Sequence, residues 1–266
     1  MYYGTREIGS AYRGSIRVFP GGMPDPDPDP PLPTGGLYMV GSNNAVLYNV
    51  NTSTGVATRV GSASNFGVNE TIPSALAAIG NTLYMVGSRN DALYTVDPST
   101  GVATRVGSAT AFGALVNERF PSGLAVIGSA LYMVGATNAV LYTLNPSTGV
   151  ATRVGSSINF GVRETTPSGL AAIGNTLYMT GGTNDALYTL NPSTGVATRV
   201  GSSTAFGVNE IIPRDLASIG STLYMVGSTN NALYTVSTSS GVATRVGTST
   251  AFGVDEITPA GLAYIS

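Results

Sequence analysis

Apolar and polar positions recur along this chain with a long period. The tetrad Leu-Tyr-Met-Val, or Leu-Tyr-Met-Thr, begins at Leu37, Leu83, Leu131, Leu177 and Leu223, in steps of 46, 48, 46 and 46 residues. The longer step comes from two extra residues between Phe112 and Glu118, where other copies read like Phe66-Gly67-Val68-Asn69-Glu70. Within one copy, short runs rich in β-branched and aromatic residues alternate with turn signals, which is the pattern of strands. Strands are predicted over Ser74–Ile79, Leu83–Val86, Ala92–Val96 and Val102–Val106. Gly80-Asn81, Gly87-Ser88-Arg89-Asn90 and Asp97-Pro98-Ser99-Thr100-Gly101 separate them. The last of these turns combines an Asx-type acceptor, a Pro preset for a turn and a Gly that accepts φ > 0.

Five copies of a four-stranded unit at this period predict an all-β fold, a five-bladed β-propeller over residues 35–266. An open stack of such sheets exposes two end faces, and a ring exposes none. The first copy opens at Leu37 with no Ser-Gly-Leu-Ala run before it, and the chain finishes on an orphan run, Ala260–Ile265. The C-terminal strand is therefore expected to close the ring by completing the first blade. Leu170-Ala171-Ala172-Ile173 is small enough for the crowded innermost strand. Leu-Tyr-Met-Val and Ala-Leu-Tyr-Thr are apolar on both faces, as middle strands between blades should be. Val150–Val154 carries Thr and Arg, which suits an outer edge strand.

Residues 1–34 share nothing with the repeat. Residues 24–34, rich in Pro and Asp, read as a polyproline II spacer rising about 3.1 Å per residue, and residues 1–23 as an extended anchor. In the anchor, Ser15-Ile16-Arg17-Val18-Phe19 alternates like a single strand. One strand is not stable alone, so it is expected to pair with another chain or with the propeller's flank. Tyr12, Arg13, Ile16, Arg17, Val18 and Phe19 are its candidate partner contacts. Formal charge divides as +2 on residues 1–23, −3 on the spacer and −1 on the propeller, which together make the chain's −2.

Composition removes several chemistries. All twelve basic residues are Arg, and the chain has no Lys, His, Cys or Trp. Nucleophile systems built on His or Cys, Cys/His zinc sites, disulfides and Schiff-base lysines are excluded, and no metal or other cofactor is expected. The charge balance supplies no basic field for nucleic acid. No apolar run approaches the roughly 20 residues of a membrane helix, so membrane insertion is not expected. Met1 to Glu7 lacks the apolar core of a secretory signal. The chain is thus expected to be made in the cytoplasm, where virus particles are assembled.

Two resemblances follow from particular residues. Arg6-Glu7-Ile8, Tyr12-Arg13-Gly14-Ser15 and Val18-Phe19-Pro20 resemble the short segment that opens many bacteriophage tail and other virion structural proteins, ahead of a variable exposed domain. The propeller resembles the tachylectin-like five-bladed lectins in blade number and repeat length. Those lectins carry a sugar site in each repeat, but their residue pattern does not map onto this sequence, and no binding residue carries over.

In a propeller, the loop after the outer strand and the loop between the two middle strands open on one face. Here the first contains Phe66, Phe112, Phe160, Phe206 and Phe252, followed by Glu70, Glu118, Glu164, Glu210 and Glu256. The second contains Asn44, Asn90, Asn138, Asn184 and Asn230, with Asp91 and Asp185 beside two of them. One reading makes these an aromatic plate, a carboxylate and an amide for a sugar in each blade, with avidity from repetition. The other has Phe filling space between blades, Glu pairing with Arg59, Arg105, Arg153, Arg199 and Arg245, and Asn shaping the turn. For Phe and Glu the packing reading takes precedence; for Asn both stand. Five equivalent Glu residues lack the asymmetry that acid and base catalysis requires, and Asp215 and Asp255 break the repeat singly. The expectation is a non-enzymatic phage virion protein of tail-fibre or baseplate type. Its N-terminal segment would hold other virion proteins and its propeller a host-surface glycan, with a soluble multivalent lectin or a decoration protein as alternatives.

Overall fold

The computed structural model describes residues 11–13, 16–18, 35–108, 112–113, 118–248, 250–254 and 258–266. The chain divides into two compact units, residues 1–33 and 34–266. In the first, β1 (Ala11–Arg13) and β2 (Ile16–Val18) pair antiparallel, with Tyr12 opposite Arg17. This corrects the expectation of a lone strand. The alternation in β2 finds its partner five residues upstream, because a hairpin closes a far shorter loop than a distant pairing does. Phe19 and the Pro/Asp-rich stretch lie outside the described residues.

The second unit is a ring of five four-stranded sheets. Blade 1 contains β3 (Gly36–Gly41), β4 (Val46–Val50) and β5 (Ala57–Arg59). Blade 2 contains β6 (Pro73–Ile79), β7 (Thr82–Gly87), β8 (Ala92–Val96) and β9 (Ala103–Arg105). Blade 3 contains β10 (Pro121–Ile127), β11 (Ala130–Gly135), β12 (Val140–Leu144) and β13 (Ala151–Arg153). Blade 4 contains β14 (Pro167–Ile173), β15 (Thr176–Gly181), β16 (Ala186–Leu190) and β17 (Ala197–Arg199). Blade 5 contains β18 (Pro213–Ile219), β19 (Thr222–Gly227), β20 (Ala232–Val236) and β21 (Ala243–Arg245). The last strand, β22 (Pro259–Ile265), pairs antiparallel with β3 and completes blade 1, as the orphan run required.

Burial follows the predicted assignment. Each outer strand hides only its Ala and exposes its Thr and Arg. Each middle strand is buried along most of its length. Five apolar clusters fill the five junctions between blades, and each is centred on one Phe. Phe66, for example, packs among Val40, Leu47 and Val60 of blade 1 and Leu83, Met85 and Tyr94 of blade 2. The Phe residues take φ values of 54–60°, a left-handed conformation that costs a bulky residue about 1–2 kcal/mol. Burying the ring at 0–1 % exposure contributes about 1.5–3 kcal/mol and offsets that strain.

Each inner strand carries a bulge near its start, between Pro73 and Ala75 and at the equivalent positions. The bulge residues are Ser74, Ser122, Ser168, Arg214 and Ala260. A bulged residue leaves the ladder and its side chain is re-aimed. All five, Ser74, Ser122, Ser168, Arg214 and Ala260, border one funnel.

Ring closure by β22 gives a direct test. Deleting Gly261–Ser266 removes Leu262 and Ile265, both essentially unexposed, and leaves the inner edge of β3 unpaired. Two such side chains together stabilise by about 3–6 kcal/mol before the lost ladder is counted. Circular dichroism should show a midpoint lowered by about 10 °C or more, and unchanged melting would contradict the ring.

Candidate functional site

The site is built where the inner strands start. Along each inner strand, the bulge residue is followed by Ala75, Gly123, Gly169, Asp215 or Gly261, and these five positions meet on the ring's axis. A Cβ on Gly169 would lie 2.6 Å from Asp215 Cα, and one on Gly123 would lie 2.7 Å from Leu170 N. Beside the Ala75 methyl the layer therefore has room for one larger side chain, and Asp215 is it. Its carboxylate is fully buried and accepts main-chain N–H groups from Leu76 (3.3 Å), Leu170 (3.2 Å), Leu216 (2.8 Å) and Leu262 (2.9 Å). Those donors belong to blades 2, 4, 5 and 1. Burial pushes the Asp215 carboxyl well above the ordinary range, and the four N–H groups oppose that shift. Asp215 stands alone in the repeat, but it has main-chain partners from four blades, a correction to its reading as a single departure.

Asp215 separates two openings. One, about 90 Å³, is lined by the inner-strand residues beyond it, among them Ala78, Val126, Ala172, Ser218 and Tyr264. The other is a funnel of about 330 Å³ on the face that carries the two variable loops. Five serines stand in its wall, Ser42, Ser74, Ser88, Ser122 and Ser168, among the apolar residues Pro73, Pro121 and Pro167. Ser74 and Ser88 are hydrogen-bonded to each other at 2.6 Å. In blade 5 that pair is replaced by Arg214 Nε donating to Ser228 Oγ at 2.8 Å. Ile72 and Phe120, 50 % and 61 % exposed, stand at the rim.

The repeated candidates have other duties. Phe66, Phe112, Phe160, Phe206 and Phe252 are buried at the blade junctions, as the packing reading has them, and present no face to a ligand, so their alternative reading as aromatic plates is corrected. Glu70, Glu118, Glu164 and Glu210 are fully buried, each clamped by the blade that follows its loop. Glu70 accepts from Ile72 N at 2.9 Å, from Arg89 N and Asn90 N at 3.2 Å, and from Asn90 Nδ2 at 3.2 Å. The same set recurs around Glu118, Glu164 and Glu210. Gly87 is required beneath the clamp, because a Cβ there would run into the Glu70 carboxylate. The expected Glu–Arg pairing gives way to these amides, and Arg59, Arg153 and Arg199 donate instead to carbonyls of their own loops. Glu256 and Asp255 lie outside the described residues.

Asn90, Asn138, Asn184 and Asn230 each spend Nδ2 on the clamped carboxylate, and Asn44 Nδ2 donates to Tyr48 Oη at 3.2 Å. Asn44, Asn138, Asn184 and Asn230 are nonetheless exposed on the funnel face. Asp91 and Asp185 follow Asn90 and Asn184 at φ 47°, a left-handed position that Asp and Asn tolerate. Burial raises both carboxyls; Arg119 opposes the shift at Asp91, and neighbouring Glu residues reinforce it at both. The Asp97 turn is an Asx turn, with Ser99 N donating to Oδ1 at 2.8 Å. Among the described residues no group of three or more acidic side chains could hold a metal ion.

What sequence reasoning missed is Arg214. The visible signal was one cation at a position that is Ser in three other repeats and Ala in the last.

No protein-family model and no curated protein sequence matches the chain. Among solved structures, a chain of a nidogen/laminin complex is similar at TM-score 0.57 and 10 % identity, covering 87 % of this chain and 98 % of that one. A structural-genomics protein of unknown function from Bacteroides thetaiotaomicron is similar at TM-score 0.52 and 15 % identity, covering 85 % and 64 %. A glutaminyl cyclase from Myxococcus xanthus matches at TM-score 0.47 and 11 % identity, covering 86 % and 74 %. Likeness at these identities shows the fold alone.

Two predictions follow from the geometry. Asp215→Gly should lower stability in urea titration by about 2–4 kcal/mol, since it unpairs four buried donors; Gly169→Asp should prevent folding, and tolerance of that second carboxylate would refute the one-carboxylate layer. Burial, helped by the Glu118 charge, pushes the Tyr142 hydroxyl up to about 12 from its ordinary value of 10.0. The protonated phenol thus favours the folded state, fully below pH 10 and progressively less as pH climbs to about 12. Thermal scans across that window should show a shallower alkaline loss for Tyr142→Phe than for the unaltered protein.

Proposed function

We propose that the chain is a structural protein of a phage particle, of tail-fibre or baseplate type, that binds and does not catalyse. In this reading residues 1–23 attach it to neighbouring virion proteins, and the propeller offers its funnel face to a host-surface ligand of the glycan class. The observation that carries the binding half is the fate of the carboxylates. Glu70, Glu118, Glu164 and Glu210 are buried and committed to main-chain amides, and Asp215 is sealed beneath the funnel. Glycoside hydrolysis needs two carboxyl groups in unlike environments on either side of the scissile bond. Among the described residues the polar groups of the funnel are serine hydroxyls and the Arg214 guanidinium, and these recognise a ligand without supplying a general acid or base.

The virion half is supported by the resemblance of residues 6–20 and by the separate unit that contains them. Among the described residues β1 and β2 pair only with each other, and a two-stranded sheet is marginal until another strand is added to it. The ring needs no such addition, since every strand that forms it lies beyond residue 34.

A chain starting at Thr34 should remain monomeric and melt within about 2 °C of the full chain, yet be missing from purified particles. Ile16→Asp with Val18→Asp should reproduce that absence. Truncated chain incorporated at normal occupancy would overturn the virion assignment. Turnover of a glycoside, ester or phosphate substrate that is abolished by one carboxylate substitution would overturn the binding half.

A further inference from the structure

Around the funnel the blades are near copies of one another, and blade 5 differs. Ser74, Ser122 and Ser168 occupy the bulge position in blades 2, 3 and 4, Ala260 occupies it in blade 1, and Arg214 occupies it in blade 5. Arg214 is half-buried in the funnel wall. Its Nε is held by Ser228 Oγ, and among the described residues its terminal nitrogens have no protein acceptor. Among the described residues no carboxylate lines the funnel. Glu210 acts on Arg214 at a distance, but its own oxygens are taken by Ile212 N, Thr229 N and Asn230 N.

A partly desolvated cation with a free planar fork is matched best by an oxyanion that accepts two parallel hydrogen bonds, as a carboxylate does. The rest of the wall adds two further requirements. Serine hydroxyls both donate and accept, so they suit a ligand that carries hydroxyls of its own. Ile72 and Phe120 at the rim offer apolar surface to the C–H face of a ring. A volume of about 330 Å³ is at the lower end of small-molecule sites and admits one sugar ring.

We infer that the funnel is a single site for an acidic monosaccharide of the uronic acid kind, its carboxylate paired with Arg214 and its hydroxyls meeting the serine wall. The inference rests on the binding reading above and specifies its ligand. One Arg214 per ring makes the stoichiometry one, where sites in the repeated loops would give five.

The test is titration of the full chain with D-glucuronate, D-glucose, acetate and inorganic phosphate, followed by calorimetry or protein-observed NMR. Glucuronate should bind one to one, and the other three at least tenfold more weakly. Arg214→Ser restores the residue of three other blades; it should melt within about 2 °C of the unaltered protein and lose glucuronate affinity by at least tenfold. Should that variant not fold, Arg214→Lys keeps the charge without the fork and should weaken binding several-fold. Glucose binding equal to glucuronate, phosphate or acetate binding as tightly, five equivalents per chain, or undiminished binding in the variants would each overturn the inference. Such a failure leaves the virion reading standing, because incorporation into particles is measured without reference to Arg214.

Discussion

Five inner strands can converge on one axis only if almost nothing projects between them. Ala75, Gly123, Gly169 and Gly261 leave that layer nearly empty, and Asp215 fills the remainder. The converging strands bring main-chain N–H groups into a space that water does not fill, and a buried unpaired donor costs about 1–3 kcal/mol. One carboxylate with two oxygens answers four of those donors at once. It ties blades 1, 2, 4 and 5 together at the point farthest from the outer edges.

Outward from the axis the same economy of parts repeats. Each junction is sealed by a Phe held in a left-handed turn, and after four of them the loop is pinned by a buried Glu, Glu70, Glu118, Glu164 or Glu210, to the turn of the next blade. Stability in such an array is close to a sum over like interfaces. The symmetric residues are therefore spent on holding the ring, and recognition falls to the positions where symmetry fails. Arg214 and Asp215 are adjacent in sequence and break the repeat together, one toward the funnel and one into the axis. The bulge separates their directions, since it takes Arg214 out of the ladder while Asp215 stays in register with Val226.

The sequence by itself determined the period, the four strands of each unit, their inner-to-outer order and the closure by β22. All of these rest on local alternation and turn chemistry, which act over a few residues and can be read in one dimension. The Asx turn at Asp97 was legible for the same reason, and the structure repeats it at Asn51, Asn145 and Asn191. Only the tertiary structure decided what the Phe, Glu and Asp215 side chains do. Phe and Glu in a variable loop suit a binding surface as well as a packed junction, and the choice depends on how closely the next blade approaches. The partners of Asp215 are backbone amides 139, 45 and 47 residues away, besides its own neighbour. Backbone amides carry no residue identity, so no motif or spacing could have announced them, and convergence on the axis alone brought them to one carboxylate.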